Sequence, residues 1–499
     1  MPWPPKAWRE TYTRYGFCDA WYSGDPNRLL NAYLGEITPQ FWAHLANAND
    51  RLDTIRASYH VPIAGDVCGV SASLLFGETP AVSIPDAAER TEAGAVAFPE
   101  AVNAQERLQD ILARMGFHNR CLAGAETCAA MGGVVLKINW DVTQADYPVM
   151  AVAQADSALP EFWQGRLIAC TFHRVVRDDG GTVWRHLERY EPGVILNALY
   201  RGSLTQLGQM MPLDAIEETA TILPEIRTGI PNDPLCRYVA NKLPNRLDRG
   251  SWLGQSDFQG AEALMDGLDE TYTSWMRDVR LGKGRLIADR MMFERVNDAT
   301  TGAVNYAFDL DREAYMGVSA GPGMVGAGLD AQIKVAQFAI RVEEHRTTML
   351  ETIDRIVSHA GYSPQSFGLK IENRAESGKA LTVRERQSLL TRGVKERYWV
   401  PALSDMCYLL QQVDVLHCGQ RYTPFRVAVE LSDSLVNDPL ETAQTVNALR
   451  QADAASTEAL VLMVHPEWRR QPERVAAEVE RILRESGRAV PDPVQGGIA

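Results

Sequence analysis

Five residues at positions 317–321 match the G-x-S-x-G pattern of the nucleophile elbow in α/β hydrolases. That elbow needs a strand before the serine and a helix directly after it, because the turn between them exposes the hydroxyl. Pro322 and Gly323 follow at once and disfavour such a helix. No regular alternation of strands and helices surrounds this stretch. An intracellular serine hydrolase using Ser319 is therefore kept only as an alternative interpretation.

Two other stretches contain some residues of a phosphate-binding loop but lack its full sequence pattern. The glycine-rich run at 321–328 is not followed by Lys and Ser or Thr, and the triplet from Ser377 to Lys379 lacks the upstream glycine frame. The nine histidines include no HExxH pair, and the acidic pair at 309 and 311 is too short for a calcium loop. The sequence thus predicts no metal site, no cofactor and no enzymatic activity.

Composition limits the class of partner. The net charge of −14 argues against tight, general binding of nucleic acid, while leaving local contact possible. The eight cysteines contain no CxxC pair and stand mostly among apolar residues, which is typical of reduced thiols in a core. No apolar run reaches about 18 residues, so we expect a protein made in the cytoplasm and not inserted in a membrane.

The longest predicted element lies near the C-terminus. A polar loop from residue 361 is followed by about forty helical residues that open near Ser377, a suitable N-cap. Pro401 has no amide hydrogen to donate to the carbonyl of Arg397, so we predict a bend there. Beyond Pro401 the helix carries an apolar stripe of core type, made of Leu403, Met406, Leu410, Val413 and His417. Before it, basic residues form either a solvated face or a face that meets an anionic partner: Arg384, Arg386, Arg392, Lys395 and Arg397.

The first half of the chain has a mixed pattern. Helices are predicted within the first hundred residues, including one at 63–76, and a longer helical stretch covers 101–131. Four strands then follow, at 134–140, 147–152, 167–177 and 182–190. The residues at 178–181, Asp-Asp-Gly-Gly, form a strong hairpin turn between the last two strands. The fold class is therefore α+β and mainly helical.

Two amphipathic helices lie between these halves. The first is predicted to open with a capping box from Ser256 to Gln259 and to carry an apolar seam at Phe258, Leu268, Tyr272, Trp275 and Val279. The second runs from about Val342 to Ala360, and its seam contains Met349, Ile353 and Ile356. An earlier start near Asp330 stays open, because residues 334–340 could equally form a strand. Three further helices are predicted near the C-terminus, starting at Asp438, at Ser456 and at Pro472.

In this order of elements, the chain resembles the portal proteins of long-tailed double-stranded-DNA bacteriophages. The resemblance is carried by short phrases in family order: WYSGD at 21–25, HVPIAGDVCGVSASLLFGE at 60–78, LGQSDF at 253–258, IRVEEH at 340–345, AGYSPQSFG at 360–368, ESGKAL at 376–381, and DSLVNDPLETA with HPEW at 433–468. These phrases cover nearly the whole chain.

The resemblance implies a portal fold with a wing, a stem, a clip and a crown, assembled as a ring around a central channel. The implied parts are a wing at 1–255, stem helix 1 at 256–282, a clip at 283–335, stem helix 2 at 336–360, a tunnel loop at 361–378, a long kinked wing helix and return at 379–434, a helical crown at 435–488, and a disordered tail at 489–499.

The implied function is that of a structural DNA conduit at one capsid vertex of the virion. Implied partners are eleven further copies in a twelve-subunit ring, double-stranded DNA, the terminase large subunit, the major capsid and scaffolding proteins, and the head-tail adaptor. The residues that would face DNA are Lys370, Glu372, Asn373, Arg374, Glu376, Ser377 and Lys379. The apolar seams of the stem would pack between copies, so we expect Trp275→Asp or Ile356→Asp to abolish ring assembly but not folding. A capsid scaffold without DNA passage is the other alternative.

Overall fold

The computed structural model describes residues 1–36, 38–48, 58–88, 98–281, 285–288, 294–297, 304–307, 333–336, 340–368, 378–431, 439–452, 454–465, 468 and 472–485. The helices are α1 (Arg9–Tyr22), α2 (Pro26–Ala32), α3 (Phe41–Ala46), α4 (Ile63–Phe76), α5 (Pro85–Ala88), α6 (Pro99–Arg114), α7 (Phe117–Met131), α8 (Glu262–Leu281), α9 (Val342–Ala360), α10 (Gly378–His417), α11 (Pro439–Gln451), α12 (Thr457–Val464) and α13 (Pro472–Glu485). None of these described helices is long and apolar enough to cross a membrane.

The strands pair in an antiparallel manner wherever their register is defined. They are β1 (Ala81–Ser83), β2 (Gly133–Asn139), β3 (Val149–Gln154), β4 (Ala158–Trp163), β5 (Arg166–Asp178), β6 (Val183–Glu191), β7 (Val194–Gly202), β8 (Gln209–Met211), β9 (Glu225–Arg227), β10 (Cys236–Ala240), β11 (Arg285–Ala288), β12 (Glu294–Asn297), β13 (Val304–Ala307), β14 (Ile333–Ala336) and β15 (Ala428–Glu430). The mixture of helices and antiparallel sheets confirms the α+β class.

The chain divides into two compact units. The first contains Met1–Ser71, Ala123–Asn139 and Met150–Pro364, and the second contains Ala72–Leu122, Trp140–Val149 and Gln365–Ala499. Two helices, α4 and α7, contribute residues to both units.

The first unit is built on a six-stranded sheet in the order β4-β5-β6-β7-β8, with β9 also paired to β7. A three-stranded sheet, β10-β2-β3, accompanies it. The N-terminal residues lie on the large sheet, where Trp3 packs with Leu159 and Leu207 in a buried cluster. The amide of Trp3 donates to the carbonyl of Thr205 at 2.8 Å, which fixes the N-terminal segment in place. Helices α8 and α9 belong to this unit.

The second unit is organised around α10. Trp399 is buried and meets the ring of Phe76 edge-on, with 5.1 Å between ring centroids. Near the end of the helix, the guanidinium of Arg107 binds both carboxylate oxygens of the buried Asp414 at 2.9 and 3.0 Å. The hydroxyl of Tyr422 donates to the same carboxylate at 3.1 Å. These bonds hold the C-terminal half of α10 against α6 and against the segment after α10 that contains Tyr422.

Most predicted boundaries are confirmed, with two exceptions. The helix at 63–76, the four strands, the hairpin turn at 178–181 and the three C-terminal helices all occur. The helical stretch at 101–131 is two helices, because Gly116 between them adopts a φ of +65°. The capping box at Ser256 is wrong, since α8 begins only at Glu262. The strands β4, β7, β8, β9 and β10 were not predicted from the sequence.

Candidate functional site

Helices α8 and α9 form an antiparallel hairpin. At one end, the imidazole Nε2 of His359 lies 3.1 Å from the carbonyl of Gln259. At the other end, the rings of Trp275 and His345 stack, with an interplanar angle of 9°. We call residues 253–269 with 356–363 the hairpin base, and residues 272–281 with 340–349 the hairpin tip.

The segment that leads into α8 packs against the end of α7. The hydroxyl of Ser256 donates to the carbonyl of Ala129 at 3.2 Å, and the amide of Asp257 donates to the same carbonyl at 2.9 Å. Because the Ser256 hydroxyl is used in this way, it does not cap the helix. A Cβ added at Gly132, whose φ is +86°, would lie 2.6 Å from the carbonyl oxygen of Gly254. Only glycine permits this approach of two backbones.

Asp257 is the centre of a buried polar group at the hairpin base. Its Oδ2 accepts a hydrogen bond from the hydroxyl of Tyr362 at 2.8 Å, and its Oδ1 accepts one from Nδ2 of Asn241 at 2.9 Å. All three side chains are buried. Burial and the nearby carboxylate of Asp257 raise the pKa of Tyr362 well above its ordinary value, so its hydroxyl keeps its proton and donates.

Asp269 connects α8 to two other segments of the first unit, α3 and the residues before α4. Its carboxylate accepts hydrogen bonds from the indole of Trp42 at 2.7 Å and from the amide of Val61 at 2.8 Å. The Nδ1 atom of His60 lies 2.7 Å from the same group. Asp269 is fully buried, so these partners replace the water that its charge would otherwise bind.

One turn earlier on α8, Asp266 caps another helix. Its two oxygens accept from the amides of Phe41 and Trp42 at 2.6 and 2.9 Å, which satisfies two donors in the first turn of α3. Burial raises the pKa of Asp266, and the two backbone amides oppose that shift. The hairpin base therefore has three buried carboxylates, each held by donors from distant parts of the sequence.

The hairpin tip is different in character. The carboxylate of Asp278 lies 3.0 Å from Nε2 of His345 and 3.1 Å from a guanidinium nitrogen of Arg341. The contact with His345, and then that with Arg341, lowers the pKa of Asp278. Val279 is 41% exposed, Val342 at the start of α9 is also exposed, and so is Leu350 just beyond the tip. Among the described residues, these apolar side chains at and beside the tip are left uncovered.

The eight residues predicted for ring and stem packing divide between these two regions. Phe258, Leu268 and Ile356 are fully buried within the chain itself. The expectation that Ile356→Asp spares folding is therefore wrong, because the new carboxylate would enter the core of the single chain. The others are partly or largely exposed, and they are Tyr272, Trp275, Val279, Met349 and Ile353.

The residues predicted to face DNA cannot be compared with the structure in the same way. Lys370, Glu372, Asn373, Arg374, Glu376 and Ser377 lie outside the described residues, and so does Ser319. The backbone of Lys379 lies in α10, while its side chain lies outside the described part. Pro401 lies inside α10 as predicted, and the bend at that residue stays a prediction.

The basic half of α10 is only partly solvated. Arg392 is buried, and its guanidinium donates to the carbonyls of Leu74 at 2.8 Å and Leu431 at 3.2 Å. Lys395 is 3% exposed. The interpretation of Arg392 and Lys395 as part of a solvated basic face is therefore wrong. The stripe beyond Pro401 is confirmed as core, with His417 partly buried and stacked on Trp140.

Four buried residues of the hairpin base were not predicted from the sequence, namely Asp257, Asp266, Asp269 and Tyr362. A signal for two of them was present, because Asp266 and Asp269 directly follow Met265 and Leu268 in the apolar seam of α8. An acidic residue on the buried side of a helix indicates a specific partner. Within the described residues, no group of three or more His, Cys, Asp or Glu side chains could hold a metal ion.

Comparisons with solved structures find weakly similar chains. One is from the neck of an empty gene transfer agent particle computed with C6 symmetry, at 13% identity and a TM-score of 0.43, covering 93% of this chain and 95% of that chain. Another is from the neck of a native particle computed with C12 symmetry, at 13% identity and a TM-score of 0.40, covering 83% and 93%. A third is from the virion of the native gene transfer agent particle, at 12% identity and a TM-score of 0.41, covering 93% and 95%.

Among curated proteins, none matches the chain. A protein-family model does match, and its description is "Phage portal protein, SPP1 Gp6-like". The match runs from residue 5 to residue 492, which is nearly the whole chain. The chain therefore belongs to the phage portal protein family.

Proposed function

We propose that this protein is the subunit of a ring-shaped channel at one vertex of a phage capsid, through which double-stranded DNA is packaged and ejected. The observation that carries this proposal is the family match over residues 5–492. The ring has twelve subunits and is part of the virion. It binds the terminase large subunit during packaging and the head-tail adaptor afterwards, and it contacts the major capsid and scaffolding proteins during assembly.

The hairpin of α8 and α9 is the stem in this proposal, and residues 283–335 between these helices are the clip. Residues 1–255 and α10 form the wing, and residues 435–488 form the crown. The exposed apolar residues at the hairpin tip support the assignment of the stem, because a ring would cover them with neighbouring copies. The partly exposed Trp275 would take part in the same contact.

The charge of the chain suits a conduit. Each phosphate contact with a cation adds to the affinity for DNA, so a channel with a generally basic wall would hold DNA strongly. A subunit with a net charge of −14 avoids this outcome. Arg392 and Lys395 are buried, and Arg392 is bonded to backbone carbonyls, which removes both from the cations that could touch DNA. The proposed contacts are then few and local, at Lys370, Arg374 and Lys379.

Electron microscopy of the purified protein tests the proposal most directly. Negative staining should show rings with a central hole. A compact monomer would contradict the channel and would direct attention to Ser319, whose hydrolase role predicts turnover of model esters that is lost in Ser319→Ala. Rings that never associate with DNA during particle assembly would indicate a scaffold without DNA passage.

Charge reversal tests the proposed contacts with DNA. We expect Arg374→Glu with Lys379→Glu to reduce the number of DNA-filled particles, while rings still form, because local phosphate contacts are replaced by repulsion. The matched control is Arg397→Glu, at an exposed position of α10, which should leave packaging unchanged. Normal packaging in the double variant would contradict a role of these cations.

A further inference from the structure

We propose, on the basis of the channel function above, that Asp257 is a positioning residue that fixes, through Tyr362, the point at which the segment after α9 leaves the hairpin. In the proposed channel, this segment leads into the loop that faces DNA. Residues 361–368 are the described part of this segment, and we call them the loop origin. The chain passes from the first unit to the second within the loop origin, after Pro364.

The chain changes direction sharply where α9 ends. Gly361 adopts a left-handed conformation with φ of 98°, and its amide donates to the carbonyl of Ser358 at 3.1 Å. The amide of Tyr362 donates to the carbonyl of Val357, also at 3.1 Å. These two bonds form a Schellman motif, which closes the helix and turns the chain away from its axis. The motif sets the backbone of Tyr362 but does not by itself set the direction of the residues that follow.

The side chain of Tyr362 supplies the next point of attachment. Its hydroxyl donates to Asp257 at 2.8 Å, across 105 positions of sequence. Both residues are almost completely buried. A hydrogen bond to a buried carboxylate is both stronger and more directional than one between neutral groups at the surface. The hydroxyl of Tyr362 therefore holds the start of the loop origin at a defined place, and the hydroxyl of Ser366, farther along, lies 2.9 Å from that of Ser388.

Asp257 is itself held by parts of the first unit outside the hairpin. Its amide donates to the carbonyl of Ala129 at the end of α7, and its Oδ1 accepts from Asn241, which follows β10. The same Asn241 amide donates to the carbonyl of Gln255 at 3.0 Å. Tyr362, at the start of the loop origin, is thus positioned relative to the end of α7 and to Asn241 after β10, and not only relative to α9. A displacement of the hairpin base against these elements would strain the bonds of Asp257 to Ala129 and Asn241.

Hydrogen exchange on the assembled full-length protein tests the local role. Tyr362→Phe removes only the hydroxyl, and we expect amide exchange in residues 361–368 to rise by roughly tenfold to a hundredfold. Asp257→Leu, which also removes the bond from Asn241, should raise exchange in the same residues, and adding Tyr362→Phe to it should have no further effect, because the bond between Tyr362 and Asp257 is already absent. If Asp257→Leu does not fold, amide exchange in residues 361–368 of Tyr362→Phe is by itself the test of the local role. The matched control is Tyr422→Phe, which removes a hydroxyl bonded to buried Asp414 in the second unit and should leave residues 361–368 unchanged.

DNA retention in assembled particles tests the positioning role. We expect Tyr362→Phe to change the fraction of particles that keep their full DNA, while ring formation and the thermal midpoint stay close to those of the parent. Unchanged exchange at 361–368, a general loss of stability, or local exchange that rises without any change in DNA retention would each overturn the proposal. Failure of the channel function itself is distinguishable, because the parent protein would then form no ring around DNA.

Discussion

The two ends of the α8–α9 hairpin are built differently. At the base, Asp266 and Asp269 are buried and bind backbone amides and side chains of α3 and of the segment before α4. At the tip, the described partners of Asp278 are Arg341, directly before α9, and His345 on α9, and Val279 beside it is exposed. The base is thus completed by its own chain, whereas the tip has apolar surface that the described residues do not cover.

The apolar seam of α8 therefore has two roles. Its residues at the base stabilise the fold, and its residues at the tip are available for contact with another molecule. Burial of the seam at the base contributes to the stability of the first unit, at about 25 cal/mol for each Å² of apolar surface removed from water. The described residues leave the seam at the tip partly exposed, and in the proposed ring the next copy would bury it. Substitutions at the two ends should therefore fail in different assays.

The largest expected effect is at Ile356, in the base. Ile356→Asp places a carboxylate without a partner in a fully buried position, which we expect to cost about 4 kcal/mol or more of folding free energy. Urea unfolding followed by circular dichroism measures this cost. Ile356→Val is the matched control and should cost only about 0.5–1.5 kcal/mol. A normal unfolding midpoint for Ile356→Asp would contradict the description of the base as completed by its own chain.

The second effect concerns the carboxylate of Asp269. Asp269→Ala leaves the Trp42 indole, the Val61 amide and His60 buried without their acceptor, so we expect a loss of about 3–5 kcal/mol in the free energy of unfolding. Glu270→Ala is the control, since Glu270 is the neighbouring exposed carboxylate on α8 and its loss should change stability by less than about 0.5 kcal/mol. Equal effects of the two substitutions would remove the distinction between buried and exposed carboxylates on this helix.

Much of the fold could be predicted because its boundaries are local. The ends of α4 and α13 are marked by Pro, Gly and the apolar period, and the turn between β5 and β6 is marked by the residues at 178–181. The order of elements also pointed to the family. In each of these cases the determining residues are close together in the sequence, so a local pattern contains the information.

The hairpin base could not be predicted in the same way because its bonds are not local. Ser256 has the spacing of a capping box with Gln259, but its hydroxyl bonds to Ala129, 127 positions away. Arg392 has the charge of a surface residue, but it is buried and donates to the carbonyl of Leu74, 318 positions away. In both cases the residue type is compatible with a local role, and only the tertiary partner decides which role is realised.

The third effect tests the tip. Trp275→Asp removes the stacking on His345 and adds a charge to surface that is partly exposed, so we expect the chain to fold and the ring to be lost. Sedimentation velocity and negative-stain microscopy measure ring formation, and circular dichroism checks folding. Ser274→Asp adds the same charge at the adjacent exposed position and is the control. Normal rings in Trp275→Asp would show that the tip is not covered by a second copy.

The smallest effect is on pH dependence, and its sign differs between the two ends. Contacts with His345 and Arg341 lower the pKa of Asp278 in the folded protein. Its contribution to stability is therefore present above its unfolded pKa of about 3.9 and is lost as the pH falls through the lower folded value. Burial raises the pKa of Asp266, so this carboxyl group stays protonated to a higher pH in the folded state than in the unfolded state. Stability should then decrease as the pH rises from about 3.9 through the raised folded value.

Two single substitutions separate these contributions. Asp278→Asn should flatten the loss of unfolding free energy at acid pH, whereas Asp266→Asn should remove the decrease that accompanies rising pH above about 4. Urea unfolding of both variants and the parent, at intervals between about pH 3 and pH 7, gives the slopes directly. Because Asp278 lies at the exposed tip, salt should weaken its contribution and leave that of Asp266 nearly unchanged. Slopes that change in the same direction in both variants would mean that the base and the tip hold their carboxylates by the same physical means.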